Sequence, residues 1–267
     1  MKRVLTIAGA AAQGSAGIQA DLKTFQERDV YGMSVITAIV ANNSHTEKGI
    51  FIHPIEEIKA QFYAATEMVG VDAVKLGMLF SAEIIGTVSR LLRELNPPFL
   101  VVDPVMIGKM GSQLLADDAI EVMKEQILPQ ATVITPNRLE AEQLLGRKIP
   151  DQLEALEQAA IDLYRYQPQS VLLKAGIVDG TAIDLFYDGK SIEKFSTEGI
   201  DTIHTSGAGC TYAACLTAEL AKGVPIHKAI QKSKQFVHAA IKHALFFNRG
   251  IGSVRHGALR QKNIEEK

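Results

Sequence analysis

The sequence predicts an α/β fold, a three-layer arrangement in which helices cover both faces of a central, mostly parallel sheet. Three observations predict it. Runs rich in β-branched residues and Leu recur at residues 4–8, 35–40, 73–76, 99–102, 132–135 and 170–173. They are apolar throughout rather than alternating, as strands buried on both faces must be. Amphipathic stretches of helical length lie among them, at 18–27, 55–68, 82–95, 119–128, 138–145 and 153–166. That alternation is the pattern of strands joined by crossover helices.

Taken in order, the first run leads through the small-residue segment GAAAQGSAG (9–17) into the helix at 18–27. The helix at 55–68 precedes the third run, and that at 82–95 follows it. The fifth run ends in Thr135-Pro136-Asn137, and Asn137 with Glu140 has the spacing of a capping box for the helix at 138–145. The rhythm changes in the last third. Residues 182–187, the Asp188-Gly189 turn and residues 191–195 read as a hairpin. Two helices are expected at 208–221 and 226–247. The second carries an apolar stripe of Ile230, Phe236, Val237, Ile241 and Leu245, with Lys232, Lys234 and Lys242 elsewhere. Its stripe continues the core pattern, which outweighs a basic membrane-binding helix as the alternative. No repeat or linker interrupts the chain, so residues 1–267 are expected to form one domain, with a flexible tail at 261–267.

Composition narrows the function. The chain has 267 residues, 47% hydrophobic and 22% charged, enough to bury roughly 70–75% of its unfolded surface. Disorder, a collagen repeat and a disulfide-stapled module are excluded. With 28 Lys plus Arg against 30 Asp plus Glu, no broad nucleic-acid footprint is expected. The opening MKRVLTIAGA is too short an apolar run for a signal peptide or a membrane span. Cys210 and Cys215 make no disulfide scaffold, so a reduced cytoplasmic protein is expected.

Several segments carry candidate chemistry. The glycine- and alanine-rich 9–17 loop is either a tight strand–helix turn or a place where backbone approaches a ligand. It matches neither the P-loop nor the dinucleotide fingerprint. In TSGAGCTY (205–212), Gly207, Ala208, Gly209 and Cys210 enter a helix whose start forms an anion site. The same field favours a thiolate, so Cys210 is expected to have a lowered pKa unless it is merely a buried thiol. Cys215 is expected in the core. Asp103 stands at a strand end, where open α/β sheets bind ligands. Glu140 either caps its helix or joins Asp103 in holding Mg²⁺ through water. Lys174, at another strand end, meets a phosphate or a carboxylate. Together these features fit phosphoryl transfer.

The chain resembles the vitamin-kinase branch of the ribokinase-like superfamily: the hydroxymethylpyrimidine/phosphomethylpyrimidine kinases and the related pyridoxal kinases. The resemblance rests on GIQADLKTF (17–25), KLGML (75–79), VVDPVM (101–106), TPNRLEAEQL (135–144) and GAGCTYAA (207–214). It implies ATP-dependent phosphorylation of a hydroxymethyl group on a small heteroaromatic ring, with Mg²⁺. It implies that Gly207, Ala208, Gly209 and Cys210 surround the migrating phosphoryl group, with Cys210 activating the acceptor hydroxyl. Asp103, Asn137 and Glu140 would organise Mg²⁺ and the nucleotide phosphates. Lys174 and Thr205 would lie near the nucleotide, and Phe236, Val237 and Ala240 would wall its adenine side. The vitamin would meet Gly9, Ala11, Gly17, Asn42, Asn43, Met78, Val105 and Met106, with 105–110 as a covering segment. A homodimer is implied as well.

Two positions depart from the family pattern. Ala11 stands where an Asp is usual, and Ser206 replaces a His before the anion site. A weakly active or purely ligand-binding relative is therefore an open reading. Between the two vitamins the sequence favours hydroxymethylpyrimidine and its monophosphate. The ANNSHTEKGI segment (41–50) is short, the chain has no Trp, and Ile107-Gly108-Lys109 lacks the Cys of many pyridoxal kinases.

Overall fold

The computed structural model describes residues 1–107 and 114–260. The expected tail at 261–267 and most of the expected covering segment, from Gly108 onward, lie outside the described residues.

Among the described residues, nine strands form one sheet in the order β3-β2-β1-β4-β5-β6-β7-β8-β9. They are β1 (Arg3–Ala11), β2 (Tyr31–Val40), β3 (Ile50–Ile52), β4 (Ala73–Leu76), β5 (Leu100–Val102), β6 (Val133–Ile134), β7 (Val171–Val178), β8 (Thr181–Tyr187) and β9 (Ile192–Glu198). The six strands from β2 to β7 pair in parallel, while β3 and the β8–β9 hairpin add antiparallel edges. The α/β expectation is met.

Alternate residues of each central strand enter different cores, which is why the runs are apolar without a break. Leu5, Ile7, Val74, Leu76, Val102, Ile134 and Leu173 pack with one group of helices. These are α2 (Ile55–Met68), α3 (Ala82–Leu95), α4 (Asp117–Gln126), α5 (Arg138–Leu145) and α6 (Leu153–Leu163). Val4, Ala73, Val101, Val133 and Leu172 face the other side. There they meet α1 (Gly17–Glu27), α7 (Ala208–Ala221) and α8 (Ile226–Lys242).

Three local expectations are corrected. The last long helix ends at Lys242 rather than 247, because the Leu245 N–H is taken by the Ser253 carbonyl (2.7 Å). Leu245 therefore leaves the stripe and is 48% exposed. Lys234 is buried, not displayed, because its ammonium reaches Asp184 on β8 (2.8 Å). Strand β3 escapes the sequence reading: it has three residues, too few for a period, and both Phe51 and Ile52 are exposed.

Candidate active site

Parallel strands that all end on one side bring their C-terminal residues to a common edge. Asp103 follows β5, Asn137 follows β6, Lys174 lies in β7, and the 9–17 loop closes over from β1. Opposite them α7 begins. Gly207 has φ +83°, and a Cβ there would collide with the Ser15 carbonyl oxygen. Only glycine permits both the left-handed backbone and that approach. Gly17, with φ +59°, does the same for the Gly9 carbonyl and closes the 9–17 loop on itself. The Gly207–Ser15 approach keys the two loops into each other.

The first-turn N–H groups of a helix have no intrahelical partner. The Ala208 N–H bonds the Thr205 carbonyl (3.1 Å), and those of Gly209 and Cys210 belong to the same turn. No acidic side chain lies in that turn. Gly209 faces the strand ends directly: a Cβ there would stand 3.3 Å from Lys174 Nζ and 3.7 Å from Asp103 Oδ2. An anion seated at the helix start would therefore meet an ammonium as well as N–H groups.

The carboxylates divide by environment. Lys174 Nζ donates to Asp103 Oδ1 (2.8 Å), as does Thr135 Oγ1 (3.2 Å). Burial would raise the Asp103 pKa, but Lys174 and then Lys75 hold it below the usual range. Glu140 is pushed up to about 8, mainly by burial and also by Asp103, against the pull of Lys174. Asn137 and Glu140 form the capping box of α5: the Asn137 N–H donates to Glu140 Oε2 (2.8 Å), and the Glu140 N–H to Asn137 Oδ1 (2.9 Å). Asp103 Oδ2 remains beside the helix start. These hard oxygens, those of Asp103 and Glu140 buried and that of Asn137 half-buried, suit Mg²⁺ held through its waters rather than in a direct cage. No group of three His, Cys, Asp or Glu among the described residues converges into one.

From Asn137, Lys174 and Gly209 a cavity of about 420 Å³ runs outward over Thr205, Val237, His238 and Ile241. Buried Lys234 and Asp184 line it too, with Tyr212. Its lining mixes charged groups with the apolar side chains of Ile177, Val237 and Ile241.

The comparisons with known proteins agree with this geometry. A family model described as phosphomethylpyrimidine kinase matches residues 12–255. The chain belongs to that family. It is 41% identical to the pyridoxine kinase of Bacillus subtilis, covering 97% of each chain. It is equally 41% identical to the hydroxymethylpyrimidine/phosphomethylpyrimidine kinase of the same organism, covering 98% of this chain and 97% of that one. Among solved structures, an ADP complex of B. subtilis pyridoxal kinase superposes with a TM-score of 0.92 at 41% identity, covering 97% of this chain and 99% of that chain. Phosphomethylpyrimidine kinase from Clostridium difficile gives 0.80 at 38% identity, covering 90% and 100%. The chain is accordingly an ATP-dependent kinase of the vitamin-kinase branch, acting on a small vitamin-like molecule.

Within this vitamin kinase several expectations need correction. The Cys210 thiol is not acidified by the helix start. Burial raises its pKa to about 11, with Asp21 and Asp103 adding to the rise against Lys75. Its Sγ accepts the Gly17 N–H (3.4 Å). Phe236 and Ala240 do not wall the cavity. They lie one helical turn apart on another side of α8, and Phe236 packs under the Arg28 guanidinium (5.6 Å). Val237 does line the cavity, with His238 and Ile241 beside it. Met106 is fully buried in the core rather than presented to a ligand. Asn43 is consumed by its own turn: it donates to the Ala41 carbonyl and accepts the His45 and Thr46 N–H groups. Cys215 is buried, as expected.

Asn42 is exposed, and Met78 and Val105 are half-buried. The Ala11 N–H is met by Gln19 Oε1 (2.8 Å). Ser206 donates to Ser15 (3.0 Å), adding a tie between the two keyed loops.

The sequence reading missed a buried ion pair. Lys75 of β4 reaches Asp21 of α1 (2.9 Å), and Thr6 donates to the same oxygen (2.6 Å). Asp21 Oδ1 is buried without a hydrogen-bond partner. Both residues lie inside motifs used only as markers of kinship. A lysine in an otherwise apolar strand is itself a signal, since unpaired lysines are almost never buried.

Proposed function

We propose that this kinase transfers the γ-phosphoryl group of ATP to the hydroxymethyl group of a pyridoxal-type vitamin. The observation that carries the choice of vitamin is the closer superposition on pyridoxal kinase, 0.92 against 0.80. It reverses the preference for hydroxymethylpyrimidine drawn from the sequence. That preference remains the second reading, because the short 41–50 segment and the absence of Trp are unchanged.

The cavity ending at Gly209 supports a nucleotide whose adenine side meets Val237, His238 and Ile241 and whose phosphates point at α7. Mg²⁺, when bound, neutralises phosphate charge; Asp103, Asn137 and Glu140 would hold it through water. The N–H groups of Gly209 and Cys210 would meet the migrating phosphoryl group, with Lys174 Nζ compensating its charge. Phosphoryl transfer demands positioning and charge stabilisation more than covalent help. Cys210 suits that demand: its neutral thiol borders the acceptor, while proton acceptance by Sγ would need a thiolate that Lys75 favours and burial opposes.

We place the protein in the cytoplasm, as one catalytic unit in a homodimer. Both thiols are free, as a reducing compartment requires. No described helix is long and apolar enough to cross a membrane. A coupled ADP-release assay with pyridoxal, pyridoxine and hydroxymethylpyrimidine, each with Mg²⁺–ATP, tests the reading. Preferred turnover of the pyridine compounds is expected. A higher kcat/KM for the pyrimidine establishes the second reading, and binding without turnover of any compound leaves only a ligand-binding relative.

A further inference from the structure

Phe80 stands in a conformation that its side chain disfavours. Its φ is +69°, and the Ser81 N–H bonds back to the Leu79 carbonyl (3.0 Å), so Phe80 is the middle of a three-residue turn between β4 and α3. A bulky residue in the left-handed region is a genuine outlier and costs free energy that glycine would avoid. Such outliers gather where a side chain must be aimed at a ligand.

The aim is visible in the packing. The Phe80 ring edge lies against Gly9 at the end of the neighbouring strand β1: a Cβ on Gly9 would stand 2.7 Å from Phe80 Cε2 and 2.9 Å from Cζ. Gly9 thus gives its side-chain space to the ring. The ring is only half-buried, and so is Met78, two residues earlier. The adjoining Leu79 is buried in the core and fixes the turn from below. An aliphatic residue would fill the space over Gly9 equally well. A phenyl ring also has a flat π-face, which an aliphatic side chain lacks.

We propose that Phe80 is a specificity-determining residue: its ring, seated on Gly9, stacks against the aromatic ring of the vitamin substrate and selects flat heteroaromatic acceptors. The assignment rests on the kinase reading above and deepens it by naming the contact that reads the ring. Electron-poor pyridine or pyrimidine rings favour offset stacking on such a face.

Phe80→Leu keeps apolar bulk and loses the flat face, whereas Phe80→Gly suits the left-handed backbone and keeps the turn. In steady-state kinetics both variants are expected to raise KM for pyridoxal or pyridoxine by about fivefold or more, with KM for ATP within about twofold of wild type. Vitamin KM values unchanged in both variants overturn the proposal, whatever happens to thermal stability. The wild-type protein is assayed first. Without wild-type turnover the kinase reading fails separately, and calorimetric titration with pyridoxine then decides the shelf: weaker binding to Phe80→Gly than to wild type supports it. Equal binding, or none to wild type, overturns it.

Discussion

At Cys210 two physical effects oppose each other. The start of α7 and the Lys75 ammonium favour a thiolate, while burial disfavours any charge, and burial wins, with a pKa of about 11. Cysteine alkylation by iodoacetamide is therefore expected to be slow at pH 7 and to rise steadily toward pH 11, without a plateau near neutrality. Cys210→Ala separates the roles of thiol and backbone. If Sγ handles the acceptor proton, the single-turnover rate falls by about 10²-fold. A loss within twofold would leave the N–H groups of the helix start as the whole contribution. Lys174 illustrates the same competition with the opposite outcome. Burial alone would lower its pKa, yet Asp103 and Glu140 raise it and keep the ammonium charged.

At the scale of elements, α7 is held from behind by a titratable group. The His256 ring meets Thr211 Oγ1 (3.1 Å), one residue beyond Cys210, and is nearly buried. Burial, then Lys23, lowers its pKa from the usual 6.5 to about 4. The unfolded chain thus binds a proton between those values that the folded chain refuses. Stability from this group is complete above pH 6.5 and declines as pH falls toward 4. Urea midpoints for wild type should drop across that window more steeply than those of His256→Gln; parallel curves would show that His256 is not the group responsible. Elements also differ in how legible they are. Helices α2, α3, α5 and α7 match the sequence reading to the residue, because the apolar period of α2 and α3, the capping box of α5 and the unbroken alanine-rich run of α7 are local properties. The end of α8 is set by Ser253, a tertiary partner that periodicity cannot reveal. The β3 edge pairs through its backbone alone, so its exposed side chains carry no pattern. In the site, Asp103, Asn137, Glu140, Lys174 and the anion turn were legible from strand ends and cap chemistry. Asp21, Lys75 and Phe80 were not, since an ion pair 54 positions apart and a positive φ leave little local trace.

For the molecule as a whole, Lys75 and Asp21 join the sheet to the α1 layer beneath the site, both with fully buried side chains. Lys75→Met leaves a buried carboxylate without its counter-charge and should destabilise the fold by about 3–5 kcal/mol. Adding Asp21→Asn removes that charge, so the double variant should recover much of the loss in urea unfolding. Additive losses would show that the pair is not coupled. The keyed glycines have a different kind of consequence. Gly17 and Cys210 touch across 193 positions, and Ser15 and Ser206 across 191. The start of α7, the proposed phosphate seat, is therefore braced by the opposite extreme of the chain. A nascent chain still lacking α7 and α8 carries Asp103 and Lys174 but not the helix start proposed to receive the γ-phosphoryl group. The proposed transfer site can thus form only once nearly the whole chain has been made.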